Sequence, residues 1–181
     1  MKLNVMPVFF DFEMTNLNAD FGRILCGSFK SYGQPSHTYR IDETPGGKKE
    51  PWNDRDLCIQ LRDAIEESWM ILSYNGVMFD IKYLNSRLLK HRERVIQKPL
   101  HRDMYFVAKT VFAISSNRLA SVQEFLGLDT TKTRLDPAMW NRAAAGDKLA
   151  LNYVVEHCEA DVAVLEEVFE HLTPFIKEIH A

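Results

Sequence analysis

The sequence predicts an α/β fold in which a mixed β-sheet is flanked by helices. Three strand-like segments come first, and after them strands alternate with helical segments, which is the order expected of such a sheet. The chain has 181 residues, of which 46% are hydrophobic and 26% are charged. This composition is typical of a globular domain. Because neither an internal repeat nor a linker interrupts the pattern, we expect residues 1–181 to form one domain.

The first three predicted strands are antiparallel neighbours. Residues 8–13, Val-Phe-Phe-Asp-Phe-Glu, are rich in aromatic side chains and follow Pro7, which is typical of a buried central strand. Residues 24–32 and 37–41 are expected to form a hairpin, because the residues between them, Gly-Gln-Pro-Ser, favour a turn. Residues 42–53 contain two prolines and two glycines, and we predict a loop there.

The fourth predicted strand, residues 70–74, lies between two helices. Asp54 is a candidate cap for the first helix, whose apolar residues recur at helical spacing until Ser68. Asp80 opens the second helix. The helical period places Leu89 on the apolar face of that helix and much of a basic run on its other side.

The rest of the chain is predicted to be mainly helical. Residues 100–104 are a fifth short strand, and helical segments follow at 105–113 and 119–126. Residues 147–172 are the longest periodic segment, because apolar side chains recur along one stripe of it.

The charge is unevenly distributed along the chain. The net charge of only -3 argues against a protein that binds nucleic acid through its overall charge. Residues 82–109, however, contain eight basic side chains and two acidic ones. Such a run is either a solvated helix face or a surface that follows phosphates, and the run by itself does not decide between them.

The three cysteines do not have the spacing of a disulfide framework or a zinc site. This indicates a reducing compartment. The N-terminal residues lack the apolar run of a signal peptide, and no stretch approaches the roughly 20 apolar residues of a membrane span. We therefore expect a cytoplasmic protein without a membrane segment.

The first strand carries two carboxylates on the same face. Side chains alternate along a strand, so Asp11 and Glu13 point one way while Phe10 and Phe12 point the other. Two like charges on an apolar central strand repel each other and lose hydration. A divalent cation resolves this conflict, because Mg²⁺ and Mn²⁺ bind carboxylate oxygens. The alternative is that one carboxylate forms a cap or an ion pair and the other reaches solvent.

Two further segments place acidic residues where such a site needs them. Asp80 follows the end of a strand, where α/β folds bind their ligands, although it is equally suited to a simple helix cap. Tyr153, His157 and Asp161 are spaced by four residues on the long helix and therefore share a face. Asp161 precedes the apolar stretch Val-Ala-Val-Leu, which is unusual for a surface acid, but a solvated flank of the helix remains the alternative.

Three other residues are assigned structural roles. Trp69 and Trp140 adjoin Met70 and Met139, so we expect both indoles in the core and not as platforms for bases. Asp103 ends the fifth predicted strand, so a place near the site is one alternative for it, and we expect it to make a structural hydrogen bond.

Taken together, these segments resemble the three motifs of the DEDD 3′-5′ exonucleases, a group with a ribonuclease H-like fold that includes the proofreading subunits and domains of DNA polymerases. The motifs of this chain are Asp11-Phe12-Glu13, Asn75-x-x-x-Phe79-Asp80 and His157-x-x-x-Asp161. The resemblance extends from about residue 7 to residue 172. It implies a five-stranded mixed sheet with helices on both sides.

The resemblance also implies roles for individual residues. The metal ligands of the family match four carboxylates of this chain: Asp11, Glu13, Asp80 and Asp161. Two ions, Mg²⁺ or Mn²⁺, would act together, one on the attacking water and the other on the leaving 3′ oxygen. Asn75 matches a residue that contacts either the substrate or a metal ligand. Thr15 and Leu17 follow the first motif, where relatives hold the 3′-terminal nucleotide, although Leu17 is also suited to anchoring a loop.

The third motif departs from both branches of the family. The catalytic residue of the tyrosine branch lies four residues before the last Asp, and that of the histidine branch lies five before it. Here His157 lies four residues before Asp161, and Glu156 lies five before. Since four residues are close to a full helical turn, His157 is the predicted general base or water-orienting residue. A purely structural histidine is the alternative.

The expected function is therefore the metal-dependent removal of nucleotides from the 3′ end of DNA or RNA, with a single strand as the substrate. Three alternatives are an endonuclease on the same fold, a catalytically silent nucleic-acid-binding module, and a phosphodiesterase for short oligonucleotides. The expected partner is the nucleic acid and no membrane, with a DNA polymerase or another replication protein as a candidate. Beside such a site, the basic run favours phosphate binding over a solvated face.

Overall fold

The computed structural model describes residues 6–97, 100–128 and 136–176 of the protein. Its sheet has five strands, as predicted. In chain order they are β1 (Val8–Met14), β2 (Ile24–Ser31), β3 (Ser36–Arg40), β4 (Met70–Ser73) and β5 (Leu100–Asp103). The spatial order is β3-β2-β1-β4-β5. The sheet is mixed, because β1 pairs antiparallel with β2 and parallel with β4.

Helices fill the connections between the later strands and follow the last one. Within the described residues they are α1 (Pro45–Lys49), α2 (Arg55–Glu67), α3 (Asp80–Lys90), α4 (Met104–Val111), α5 (Leu119–Leu126), α6 (Pro137–Ala144) and α7 (Lys148–Leu172). Asp147 caps α7, since its carboxylate accepts hydrogen bonds from the N–H groups of Leu149 and Ala150. Among these helices, none combines the length and the apolar character needed to cross a membrane.

The two faces of the sheet are covered by different helices. Phe12 and the α2 residue Leu61 meet over Gly27 of β2, where an added Cβ would lie within 2.6 Å of both side chains. Helix α2 therefore packs directly on the sheet at this glycine. On the other face, Phe9 packs against Phe169 of α7, with ring centroids 5.5 Å apart. The alternation along β1 thus sends neighbouring side chains into opposite layers.

The second half of β1 extends beyond its parallel neighbour. The pairing with β4 covers Val8 and Phe9, whereas the pairing with β2 continues to Met14, with a bulge after Glu13. As a result, the residues from Asp11 onward lie past the carboxyl end of β4. This is the crevice where the sequence predicts ligands in an α/β fold.

The structure corrects the prediction that residues 42–53 form a loop. A 3-10 turn (Ile41–Glu43) and the short helix α1 lie within this region. The Thr44 hydroxyl accepts a hydrogen bond from the N–H of Gly47 at 3.0 Å, and Pro45 occupies the first helical position. A side-chain cap followed by proline is a regular helix start, so the prolines and glycines here shape a helix and its ends.

Four side chains differ from their predicted settings. Leu89 is 64% exposed and does not join the apolar face of α3, whereas Arg87 from the basic run is buried. Asp54 precedes α2 but makes no side-chain cap, because its carboxylate binds other groups. Trp69 is 45% exposed and lies outside the core. Neither the helical period nor an apolar neighbour in sequence distinguished these positions.

Candidate functional site

The predicted carboxylates converge at the second half of β1. The negative charges of Asp80, Glu13 and Asp161 all act on the carboxyl group of Asp11. Asp80 is the first residue of α3, and the backbone N–H groups of Asp80 itself and of Phe12 in β1 act to lower the pKa of its carboxyl group. The structure therefore brings together residues from β1, α3 and α7, as the three motifs predict.

His157 lies within this group of acids. It is 3% exposed. Its Nε2 lies 3.9 Å from Oε1 of Glu13 and 3.8 Å from Oδ2 of Asp161. The four-residue spacing on α7 thus places the imidazole beside Asp161. The packing of α7 against β1 places the same ring near Glu13.

Burial and mutual repulsion oppose ionisation of the two aspartates nearest the strand end. Burial, followed by the charges of Asp80, Glu13 and Asp161, raises the pKa of Asp11 well above its ordinary value. Burial also raises the pKa of Asp80 to about 7, assisted by the charge of Asp103 and opposed by the two backbone N–H groups. Neighbouring carboxylates therefore make Asp11 and Asp80 harder to ionise.

The oxygen chemistry of this donor set suits divalent metal ions. Hard cations such as Mg²⁺ and Mn²⁺ take carboxylate oxygens as ligands. A bound cation would also relieve the repulsion that raises the pKa of Asp11 and Asp80. The four residues that would hold it are Asp11, Glu13, Asp80 and Asp161.

Helix α7 contacts β1 through a second side chain. The Cys158 thiol donates to the main-chain oxygen of Asp11, with Sγ 3.2 Å away, and lies 3.7 Å from Oδ2 of the same residue. Cys158 is fully buried. It packs α7 closely against the strand at the residue that carries the first carboxylate.

Trp140 of α6 packs against the core, as predicted, and its indole N–H also contacts the site. Its Nε1–H donates to Oε2 of Glu13 at 3.2 Å. The indole is partly exposed and meets the ring of His157 edge to face, with centroids 5.4 Å apart. Sequence reasoning missed this role because an apolar neighbour and an aromatic ring are equally typical of a core position.

Asp103 organises the turn between β4 and α3. Its carboxylate accepts hydrogen bonds from the N–H groups of Asn75 at 2.7 Å, Val77 at 3.0 Å and Tyr105 at 3.0 Å. Asn75 has a φ of 67°, a left-handed conformation that asparagine tolerates. The predicted structural hydrogen bond of Asp103 is confirmed. This turn leads directly into α3 and sets the position of Asp80.

A cleft of about 630 Å³ opens next to Glu13. Its walls include Thr15, Leu17, Phe79 and Trp140. Leu17 is 79% exposed, whereas the Thr15 hydroxyl accepts a hydrogen bond from the N–H of Arg23. Two of the three predicted substrate contacts therefore lie on this cleft.

The third predicted substrate contact occupies a different place. Asn75 lies in the turn held by Asp103, and it is not one of the described residues that line the cleft. The backbone of Asn75 therefore lies in the turn that leads to Asp80. Its contact with the substrate stays a prediction.

The basic run does not form one continuous surface. Arg87 is buried against Asp54, and Arg94 binds both carboxylate oxygens of Glu66 at 2.7 and 2.6 Å. Other members are exposed, namely Lys82, Lys90, Arg92 and Lys109. Lys98 lies outside the described residues. The expectation of a phosphate-binding surface therefore applies only to part of the run.

A second cluster of ligand-type side chains consists of Asp54, Cys58 and His91, whose ligand atoms lie within 4.8 Å of one another. Oδ2 of Asp54 accepts from the N–H of Ile24 and from Nε of Arg87, both at 2.9 Å. Oδ1 accepts from Nη2 of Arg87 at 2.6 Å and lies 2.7 Å from Nε2 of His91. A guanidinium already supplies the positive charge here, so these contacts account for the cluster without a metal.

Comparison with known proteins agrees with this fold. A solved structure, that of the family B DNA polymerase from the hyperthermophilic archaeon Pyrobaculum calidifontis, superposes with a TM-score of 0.78 at 17% sequence identity. The match covers 96% of this chain and 25% of the polymerase chain, and at this identity it shows the fold alone. No curated protein sequence matches the chain significantly. Residues 8–173 match the family model described as the RNase_H superfamily, and the chain therefore belongs to that superfamily.

Proposed function

We propose that this protein is a metal-dependent 3′-5′ exonuclease that hydrolyses phosphodiester bonds at the 3′ end of single-stranded DNA or RNA. The observation that carries the proposal is the convergence of Asp11, Glu13, Asp80 and Asp161 from three separate motifs. Membership of the RNase_H superfamily supports a nuclease. The spacing of the motifs supports the DEDD group, with histidine in place of tyrosine in the third motif.

The four carboxylates would hold two divalent ions, Mg²⁺ or Mn²⁺. When bound, the ions supply an activated water and stabilise charge on the leaving 3′ oxygen. The chain itself arranges the ligands: β1 presents Asp11 and Glu13 on one face, the turn held by Asp103 presents Asp80, and α7 presents Asp161.

His157 is the proposed general base or water-orienting residue. Its Nε2 faces the carboxylates of Glu13 and Asp161, which is where a general base or a water-orienting residue would act. Burial under Trp140 holds the ring in one orientation. If this histidine is only structural, His157→Gln leaves the pH dependence of cleavage unchanged.

The cleft beside Glu13 is the proposed site of the 3′-terminal nucleotide. Leu17, Phe79 and Trp140 give it apolar and aromatic walls, which suit the flat face of a base, and Thr15 lies on the same wall. Asn75 is the proposed polar contact near Asp80. Exposed lysines on α3 are suited to phosphates farther along the strand.

We propose that residues 1–181 act as one exonuclease domain. The chain spans 25% of the polymerase chain that it resembles. A DNA polymerase or another replication protein is the proposed partner, and pull-down with a replicative polymerase from the same source would test it.

The test of the activity uses 5′-labelled single-stranded DNA and the matching RNA, each with Mg²⁺, with Mn²⁺ and with a chelator. We expect a ladder of products shortened from the 3′ end, which requires metal and reveals the preferred sugar. Asp11→Ala should abolish the ladder. Asp20→Ala, which removes an exposed carboxylate on the loop after β1, should preserve it.

Three further substrates separate the alternatives. Cleavage of a circular single strand would indicate an endonuclease. Cleavage of dinucleotides with intact longer strands would indicate an oligonucleotide phosphodiesterase. Binding of the strands without any cleavage would indicate a silent nucleic-acid-binding module and would overturn the proposal.

A further inference from the structure

Trp140 occupies an unusual position for a tryptophan at a cluster of acids. Its indole N–H donates to Oε2 of Glu13 at 3.2 Å. Its ring stands perpendicular to those of His157 and Tyr153, at interplanar angles of 83° and 88°. One side chain therefore contacts a proposed metal ligand, the proposed general base and the residue one helical turn before it.

The connection between α6 and α7 fixes the indole in place. Gly146, with a φ of 91°, reverses the chain between the two helices. Asp147 caps α7 and also accepts a hydrogen bond from Nε of Arg142 in α6 at 2.8 Å. At the end of α6, the guanidinium of Arg23 donates to the main-chain oxygen of Ala144. Helix α6 is thus tied to both α7 and the start of β2.

The chemistry of the donor matters at this position. The indole N–H is neutral and donates a single hydrogen bond, so it holds Oε2 of Glu13 without neutralising the carboxylate. A lysine or arginine in its place would supply a positive charge that competes with a metal ion. With Oε2 held, Oε1 of Glu13 is left on the side of His157, 3.9 Å from Nε2.

We propose that Trp140 is a positioning residue that fixes the Glu13 carboxylate for metal binding. This inference rests on the proposed function, because it takes Glu13 as a metal ligand. It adds a residue that lies outside the three sequence motifs and that acts through Glu13 by a neutral hydrogen bond.

Manganese binding tests the proposal independently of catalysis. Free Mn²⁺ is measured by its electron paramagnetic resonance signal during titration of the wild type, Trp140→Phe, Glu13→Gln and the double variant. Phenylalanine keeps a ring and removes only the N–H donor. We expect Trp140→Phe to weaken Mn²⁺ binding about tenfold, the size typical of one hydrogen bond to a charged group. In the Glu13→Gln background the same change should have no further effect.

Trp69→Phe is the matched control, because Trp69 is an exposed indole outside this cluster. It should bind Mn²⁺ like the wild type. The proposal is overturned if Trp140→Phe binds Mn²⁺ normally, if it weakens binding equally with and without Glu13, or if the wild type binds no Mn²⁺. If Mn²⁺ binding follows the expected pattern but the protein cuts no nucleic acid, the positioning role of Trp140 stands and the proposed function is wrong.

A second measurement avoids any change at Trp140 itself. The protein has three tryptophans, so in a Trp52→Phe/Trp69→Phe protein the remaining indole N–H signal in a nuclear magnetic resonance spectrum belongs to Trp140. We expect this signal to lie downfield, as a hydrogen bond to a carboxylate requires, and to move upfield on Glu13→Gln. If Glu13→Gln does not change the chemical shift of this signal, the proposal is contradicted.

Discussion

Within the described residues, the buried aspartate Asp54 and the aspartates Asp11 and Asp80 at the candidate site have opposite surroundings. Asp54 is fully buried, and hydrogen bonds reach both of its oxygens from Arg87 and Ile24. Burial acts to raise the pKa of Asp54, but the hydrogen bonds and charge of Arg87 prevail and lower it. Around Asp11 and Asp80, burial acts together with neighbouring carboxylates, and the pKa of each rises.

The difference teaches which carboxylates support the fold. The same chain that supplies a guanidinium to Asp54 gathers like charges around Asp11. Selection for stability alone would have paired or removed the latter group, because an ionised carboxylate in a buried setting is destabilising without a partner. We therefore interpret Asp54 as structural and the cluster around Asp11 as functional. Four predictions, taken from the largest expected effect to the smallest, test this contrast.

Removing Asp54 should cause the largest loss of stability. Asp54→Ala leaves the Arg87 guanidinium buried without its counter-charge, and we expect the free energy of unfolding to fall by about 3–5 kcal/mol. Urea denaturation at pH 7 measures this change. Asp20→Ala removes an exposed carboxylate and should change stability by less than about 0.5 kcal/mol.

The effect of Asp54→Ala should also depend on pH. Because the folded pKa of Asp54 is lowered, the stability that this group contributes is present above its unfolded value of about 4 and is lost as the pH falls through the folded pKa. The wild type and the variant should therefore converge in acid. If Asp54→Ala lowers the free energy of unfolding no more than Asp20→Ala does at any pH, Asp54 does not stabilise the fold.

The turn before α3 should show the next largest effect. Three backbone N–H groups donate hydrogen bonds to the Asp103 carboxylate. Asp103→Asn keeps one acceptor oxygen and replaces the other with an NH₂ group, which cannot accept these bonds. We expect a loss of about 2–3 kcal/mol in the free energy of unfolding, the size of hydrogen bonds to a charged group. Because the turn sets the position of Asp80, Mn²⁺ binding should weaken as well. Unchanged Mn²⁺ binding would separate this turn from the site.

Removing a carboxylate of the site should raise the free energy of unfolding, whereas the two preceding changes lower it. Asp80→Asn should stabilise the metal-free protein by about 2 kcal/mol at pH 8, since the wild type must ionise a buried acid whose folded pKa is about 7. The folded state holds this proton more tightly than the unfolded chain does. Its contribution therefore favours folding at low pH and is lost as the pH rises through about 7.

Denaturation in a chelator at pH 4 and pH 8 measures the effect of Asp80→Asn. We expect a gain in stability at pH 8 and none at pH 4. In a separate assay with Mg²⁺ or Mn²⁺, the variant should lack nuclease activity. A variant that is less stable than the wild type at both values would show that Asp80 supports the fold as Asp54 does.

Divalent metal should produce the smallest of the four effects. Mg²⁺ at ten times its dissociation constant stabilises the folded state by about 1.4 kcal/mol, which raises the melting temperature by roughly 3–5 °C for a domain of this size. Thermal unfolding with Mg²⁺, against NaCl of equal ionic strength, measures the shift. Asp11→Asn should remove it. An equal shift in that variant would place the binding elsewhere.

Much of the fold and of the candidate site could be predicted because the necessary patterns are local. The alternation of Asp11 and Glu13 with buried phenylalanines defines one face of β1, and the spacing of His157 and Asp161 defines one face of α7. Each pattern spans a few residues, and the period of the strand or helix converts it into geometry. The convergence of these faces then follows from the order of the strands.

The rest depends on contacts between distant parts of the chain. Arg87 belongs to a basic run by sequence, yet its partner Asp54 comes from the start of another helix. The sequence around Trp140 indicates an apolar core position, whereas the structure shows that its indole N–H donates to Glu13. Leu89 follows the helical period and still faces solvent, because the neighbouring elements do not reach it. Periodicity describes a helix by itself and says nothing about what is packed against each face.

The position of α7 has a consequence for how the protein acquires its activity during synthesis. The hairpins of β1, β2 and β3 join residues that are close in sequence, so they can form early. Asp161 arrives much later, on a helix that must then pack against those strands. An emerging chain therefore carries Asp11 and Glu13 without the full set of acids. If these acids form the proposed metal site, the chain becomes able to cut nucleic acid only when α7 has docked.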